Sequence, residues 1–413
     1  MSESTDASPR RIYLDNAATT WPKSTAALQA AEEFTRDCGA TAGRGAYRSG
    51  MTADRWLSTA RTNLARLVKA HAAASVAICN SGTHALNAAL WGLVRTGDHV
   101  ITTGIDHNSL LRPLKNMETH GGIRLSVVPS DETGYVDPAS AESMVCESTT
   151  WFAVGHASNV TGRVQDIDRW SDLAHRSGAK LLVDASQTLG YLAIDMQTSR
   201  IDALAAAGHK GLRALAGTGI LVLQPELHSQ LRPLMYGGTG VASEQLAGGV
   251  QWPQSVEVGN LNMPGVVSMA VAAAEVEQQL DEHRRRWQSR LQQLTSGLAC
   301  LPGVELFGWN AELDSNELDS NELQSNELTA AADYTAGRIP VVSLRVAGWD
   351  VHDLASVLDS FGIEVRAGWH CAALVHESLG SAEGGGTLRL SPGVSTTAED
   401  IDYVLSIFRR LVA

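Results

Sequence analysis

The chain is short of positive charge. Its 413 residues include 32 Lys and Arg against 45 Asp and Glu, a net charge of −13. Nucleic-acid binding needs a basic face to neutralise phosphates, so the balance argues against that class of partner. Part of the deficit is local. Residues 311–328 hold Glu312, Asp314, Glu317, Asp319, Glu322 and Glu327 with no Lys or Arg, which is −6 of the −13. Also missing is any uninterrupted apolar run near the roughly 20 residues that span a bilayer. Met1 to Arg11 are polar and lack the apolar core of a signal peptide. The five cysteines (Cys38, Cys79, Cys146, Cys300, Cys371) are odd in number and form no CxxC pair. That argues against a disulfide framework and against a zinc site, so no metal is expected. A cytoplasmic protein with reduced thiols and no membrane attachment is the expectation.

Apolar content of 44% and charged content of 19% describe an ordinary globular chain. Roughly 100–200 residues per domain predicts two or three domains. From about residue 24 to 225, strand-like runs (Val76 to Cys79, His99 to Thr103, Ile123 to Val128, Trp151 to Val154, Leu181 to Asp184, Ile220 to Leu223) alternate with helical stretches such as Ala85 to Val94 and Asp168 to Ser177. That alternation implies βαβ units and a mostly parallel sheet covered on both faces, with ligands beyond the carboxyl ends of its strands. A long helical pattern runs from Val266 to about Leu298, with Pro264 just before its start. Strands at Val341 to Val346, Ile363 to Arg366 and Thr387 to Ser391 follow, with helices at Asp350 to Phe361 and Ala398 to Leu411. The division is a large α/β domain over 22–275 and a smaller α+β domain made of 1–21 plus 276–413. An insert at 311–330 repeats Asn-Glu-Leu-x-Ser with leucines every five residues. It fits neither helix nor strand periodicity, and it is read as a solvated loop without function.

Chemistry concentrates where strands end. Lys210, in Ala207-Gly208-His209-Lys210, follows the apolar stretch Ile201 to Ala207. Asp184, in Asp184-Ala185-Ser186-Gln187, closes Leu181-Leu182-Val183. An amine and a carboxylate at neighbouring strand ends suit pyridoxal phosphate, whose aldehyde forms a Schiff base with lysine and whose pyridine nitrogen an acid keeps protonated. Ser81-Gly82-Thr83 sits between a strand and a helix. Such a turn offers free N–H groups to a phosphate, or simply caps the helix. His107 in Asp106-His107-Asn108 is suited to stack on a cofactor ring and to exchange protons near neutral pH, or to cap. Asn159, in Ser158-Asn159-Val160-Thr161-Gly162, is placed to donate to a phenolate oxygen or to shape a turn. Cys371 follows Gly368, Trp369 and His370, with Arg366 nearby, a setting that favours a thiolate. Arg389 is a charge inside an apolar strand, and burying it calls for a carboxylate from protein or substrate.

Taken in order, Tyr13 to Thr20, Arg44 to Arg48, Ser81-Gly82-Thr83, Asp106-His107, Ser158 to Gly162, Asp184 to Gln187, Gly208-His209-Lys210, Glu257 to Asn260 and Arg366 to Cys371 cover nearly the whole chain. In this the chain resembles the cysteine desulfurase and selenocysteine lyase branch of the class V aminotransferases. The resemblance implies fold type I, with a large, mostly parallel αβα domain of the seven-stranded type and a smaller α+β C-terminal domain. It implies a homodimer that uses pyridoxal 5′-phosphate to take sulfur from L-cysteine and release L-alanine, in sulfur metabolism such as iron–sulfur cluster assembly, with a sulfur-acceptor protein as a further partner. In that scheme Lys210 holds the cofactor and shuttles the Cα proton, and Asp184 pairs with the pyridine nitrogen. Gln187 and Asn159 contact the phenolic oxygen, while Gly82, Thr83 and His209 bind phosphate. His107 stacks on the ring, Arg389 clamps the substrate carboxylate with Arg366 beside it, and Cys371 attacks the sulfur. Asn260 stands where relatives have a Thr that reaches the neighbouring subunit's phosphate. Ala207 replaces a phosphate-binding hydroxyl, and Ala367 and Trp369 alter the loop before Cys371. Selenocysteine lyase, aminotransferase or epimerase chemistry on another amino acid, and a non-catalytic scaffold, are the alternatives.

Overall fold

The computed structural model describes residues 11–43, 45–239, 250–309 and 337–413. Arg44, the repeat insert and the first ten residues lie outside the described residues.

In chain order the elements are β1 (Ile12–Tyr13), α1 (Thr25–Asp37), α2 (Arg48–Leu67), β2 (Val76–Cys79), α3 (Gly82–Leu93), β3 (His99–Thr103), α4 (Asn108–His120), β4 (Arg124–Val128), β5 (Thr149–Gly155), α5 (Ile167–Arg176), β6 (Lys180–Asp184), β7 (Ala203–Ala207) and β8 (Gly219–Leu223). Then come α6 (Met263–Ala299), β9 (Val304–Phe307), β10 (Val342–Val346), α7 (Val351–Ser360), β11 (Ile363–Glu364), β12 (Arg366–Gly368), α8 (Ala373–Ser378), β13 (Thr387–Leu390) and α9 (Ala398–Leu411).

Among the described residues, seven strands form one sheet in the order β2-β8-β7-β6-β5-β3-β4. The pairs from β7 to β4 run parallel, and β8 runs antiparallel to both its neighbours. Strands β2, β3, β7 and β8 are buried at every residue, as expected of strands covered on both faces. Strand β7 reads Ala-Leu-Ala-Ala-Ala. By propensity that is a helix former, yet small side chains let α3 pack against it, and tertiary context decides.

A four-stranded antiparallel sheet, β12-β13-β10-β9, and a two-stranded parallel pair, β1-β11, make up the C-terminal part. The 37-residue α6 serves two cores. Val266, Met269 and Val276 pack with the large sheet, and Trp287, Leu291 and Leu298 pack with β10, β13 and α9. Helix α9 starts from a reciprocal cap between Thr397 and Asp400.

Two details differ from the sequence reading. Pro264 lies inside the first turn of α6 because Asn262 caps it earlier. The run from Ile363 to Arg366 is two strands, one pairing with β1 and the other with β13. No helix among the described residues is long and apolar enough to cross a membrane.

Candidate active site

A cavity of about 220 Å³ opens at the carboxyl ends of β3, β5, β6 and β7, against the N-terminus of α3. Gly82, Thr83, His107, Asn159, Asp184, Gln187, His209, Lys210, Arg366 and Arg389 all line it. These residues come from segments more than 300 positions apart, joined by hydrogen bonds from Arg389 to the Asn159 carbonyl and from Asn159 to the His370 carbonyl.

Helix α3 begins where Ser81 accepts from the His84 N–H. Gly82 and Thr83 therefore present the start of a 12-residue helix to the cavity. A Cβ on Gly82 would lie 2.6 Å from Ser186 Oγ and 3.3 Å from the Ala207 nitrogen, so only glycine fits between α3 and β7. The Thr83 hydroxyl meets Ser109 Oγ at 2.8 Å.

His107 caps a helix and also lines the cavity. Its Nδ1 accepts the Ser109 N–H at 3.0 Å and caps α4, while the ring lines the cavity. Burial, then Lys210, lowers its pKa to about 4. Asp106 beneath it is buried, which raises its pKa to about 6. It accepts from Thr102 Oγ1, the Thr103 N–H and hydroxyl, and the Gly155 N–H, which ties the ends of β3 and β5 together.

Lys210 is a half-buried amine in the cavity lining. Burial lowers its pKa to about 8, opposed by Asp184 and reinforced by Arg389 and Arg366. Asp184 Oδ1 accepts the Ser186 N–H at 2.9 Å. Gln187 donates through Nε2 to the Ala17 carbonyl at 3.1 Å, leaving Oε1 buried without a partner. Asn159 donates through Nδ2 to the His370 carbonyl at 2.7 Å, and its Oδ1 likewise has no partner.

Arg389 is 1% exposed. Its carboxylate comes from the protein: Nη2 meets Asp15 Oδ1 at 2.7 Å, and Nη1 donates to the Asn159 carbonyl at 3.1 Å. Nε remains buried and unpartnered. Cys371 is exposed on the loop after β12, with Sγ 3.7 Å from Arg366 Nη2. Asn260 is not brought to the cavity of its own chain. It is exposed and accepts from Thr41 Oγ1.

Sequence reasoning missed Asp15 as the partner of Arg389, because 374 positions separate them and no spacing rule links them. Ser109 was also missed, since an isolated Ser at a helix start reads as a cap. A glycine-floored helix N-terminus, a half-buried amine and the Asp184 carboxylate beside it are the groups a phosphorylated pyridine aldehyde would engage. The residues present fit that cofactor.

Residues 12–318 and 309–404 match the family described as Aminotransferase class-V. The chain belongs to the class V aminotransferases, a family that uses pyridoxal phosphate. It is 31% identical to a probable cysteine desulfurase of Methanothermobacter thermautotrophicus, over 95% of this chain and 92% of that one. It is 26% identical to a cysteine desulfurase of Cronobacter sakazakii, over 95% and 91%. Among solved structures, the apo cysteine desulfurase of Thermococcus onnurineus superposes with a TM-score of 0.85 at 27% identity, covering 97% of this chain and 94% of that one. The S-sulfonic acid form of the cysteine desulfurase CsdA from Escherichia coli gives 0.81 at 23% identity, over 97% and 95%, a likeness of fold.

Proposed function

We propose that the chain is a pyridoxal-phosphate-dependent cysteine desulfurase that moves sulfur from L-cysteine to Cys371 and releases L-alanine. The observation that carries the reading is one cavity holding a half-buried lysine, Lys210, and a buried arginine, Arg389, with Arg366 reaching from its wall to the exposed thiol of Cys371 at 3.7 Å. A transaminase or epimerase needs the lysine but has no use for that thiol.

Gly82, Thr83 and His209 would hold the cofactor's phosphate, Asp184 its ring nitrogen, Gln187 and Asn159 its phenolic oxygen, and His107 one face of the ring. When bound, the cofactor supplies an aldehyde that condenses with amines and a ring that accepts electrons from the substrate's Cα. With a pKa of about 8, Lys210 keeps a useful fraction of free amine near neutral pH and can take the Cα proton and return it. The unpartnered Nε of Arg389 is available to the substrate carboxylate, while Asp15 and the Asn159 carbonyl fix the plane of the guanidinium. Arg366 Nη2 faces the Cys371 sulfur at 3.7 Å. The thiolate attacks the substrate sulfur. An S–S bond forms, the C–S bond breaks with its electron pair going to the substrate, and a persulfide remains on Cys371.

We further propose a homodimer in the cytoplasm, with Asn260 serving the neighbouring subunit and an acceptor protein taking sulfur from the exposed Cys371. The test is incubation of the purified protein with L-cysteine, L-selenocysteine and other amino acids, with assay of alanine, sulfide and selenide. Alanine and sulfide in equal amounts from L-cysteine, given a thiol reductant, support the reading. A keto acid or a D-amino acid as the main product overturns it.

A further inference from the structure

Lys23 is half-buried, and no carboxylate among the described residues pairs with it. Its ammonium donates instead to the His209 carbonyl at 2.6 Å and to Thr19 Oγ1 at 3.0 Å. That carbonyl belongs to the peptide leading into Lys210, and it also receives the Thr20 N–H at 3.1 Å. Thr19 Oγ1 lies 3.0 Å from His209 Nδ1 and 3.3 Å from the His209 carbonyl.

The donor directions follow from elementary chemistry. An ammonium only donates, so Thr19 Oγ1 accepts from Lys23 and has one hydrogen left to give. The carbonyl already takes two donors and lies farther off, which leaves Nδ1 as the hydroxyl's better acceptor. Burial, then Lys210 and Lys23, lowers the His209 pKa to about 4, and the ring is neutral with a single N–H. With Nδ1 accepting, that hydrogen sits on Nε2. His209 lines the cavity beside Gly82 and Thr83, and Ala207, also in the lining, offers only a methyl group.

We infer that Lys23 and Thr19 are positioning residues: the Lys23–Thr19–His209 relay fixes the His209 tautomer that donates an N–H to the cofactor's phosphate. The inference rests on the pyridoxal-phosphate reading above. It also accounts for the lysine, because a phosphate dianion held by His209 would supply the counter-charge that the described residues do not. Had Lys23 served only to hold the backbone, its effect would not depend on whether the ligand carries a phosphate.

That dependence is the test. Apo protein, prepared from the holoenzyme with hydroxylamine, is titrated with pyridoxal phosphate and, separately, with pyridoxal, which keeps the aldehyde and lacks the phosphate. Lys23→Met is expected to weaken pyridoxal phosphate by about tenfold while leaving pyridoxal unchanged, the scale of one lost hydrogen bond in a charged network. Thr19→Val is expected to show the same selective loss, and the double variant to bind no more weakly than the worse single one. Equal weakening toward both ligands, or unchanged phosphate selectivity in both variants, overturns the relay. A parent protein that binds neither ligand overturns the cofactor reading itself, a result distinct from a parent that binds and variants that match it.

Discussion

The side-chain nitrogen of Asn159 donates to the backbone carbonyl of His370 at 2.7 Å, tying the cavity wall to the loop that carries Cys371. His370 and Cys371 have φ of +48° and +60°, the left-handed region, which costs a side-chain-bearing residue about 1–2 kcal/mol. A second tie, from the Asn108 N–H to the Cys371 carbonyl at 2.8 Å, holds the same strained turn. Removing Asn159 should let the turn relax. In Asn159→Ala, amide hydrogen exchange over 368–372 is expected to quicken by roughly fivefold, the equivalent of about 1 kcal/mol of lost hydrogen bonding. Alanine release from cysteine should fall with it. Exchange rates identical to the parent's would show that this bond does not restrain the loop.

Cys371→Ser separates the thiol from the cofactor chemistry. The variant should retain its visible absorption band, since Lys210 and Asp184 are untouched, and lose alanine release by roughly three orders of magnitude or more, as expected when a nucleophile is removed. Absorption spectra and an alanine assay on the same preparation decide it. Turnover near the parent's would remove Cys371 from its proposed role and favour a reaction that needs only the lysine.

Burial of Lys210 makes stability depend on pH. Its folded pKa of about 8 lies below the ordinary 10.5. Below pH 8 both states are protonated, and the folded state bears the buried charge. Between pH 8 and 10.5 the unfolded chain binds more protons, so this site adds stability as pH rises. The penalty at pH 7 is on the order of 3 kcal/mol. Apo Lys210→Met should therefore be more stable than the apo parent at pH 7.5, with the gap narrowing to about 1 kcal/mol by pH 10. Lys23, also lowered to about 8, is present in both proteins and cancels in the comparison. Urea unfolding at three pH values measures the gap, and a gap independent of pH contradicts the assignment.

Much of this was legible in the sequence because β/α alternation and strand-end motifs are local signals. The strand His99–Thr103 and the helix Ala398–Leu411 fall where period and composition place them. What stayed hidden depends on distant contacts. The Asp15–Arg389 pair, the Lys23–Thr19–His209 relay and the Asn159–His370 tie each join segments that only the folded chain brings together. The lowered pKa of His107 is hidden for the same reason, since its burial and the nearby Lys210 are tertiary facts. Alanine-rich β7 escapes a propensity rule because its neighbours, not its own residues, make it a strand.

The central claim is that Lys210 is the lysine joined to pyridoxal phosphate. Borohydride reduction of the purified protein, followed by peptide mapping, tests it most directly. The account predicts a single phosphopyridoxyl label on the peptide containing Gly208-His209-Lys210. A label on another lysine, or none after incubation with the cofactor, would contradict it.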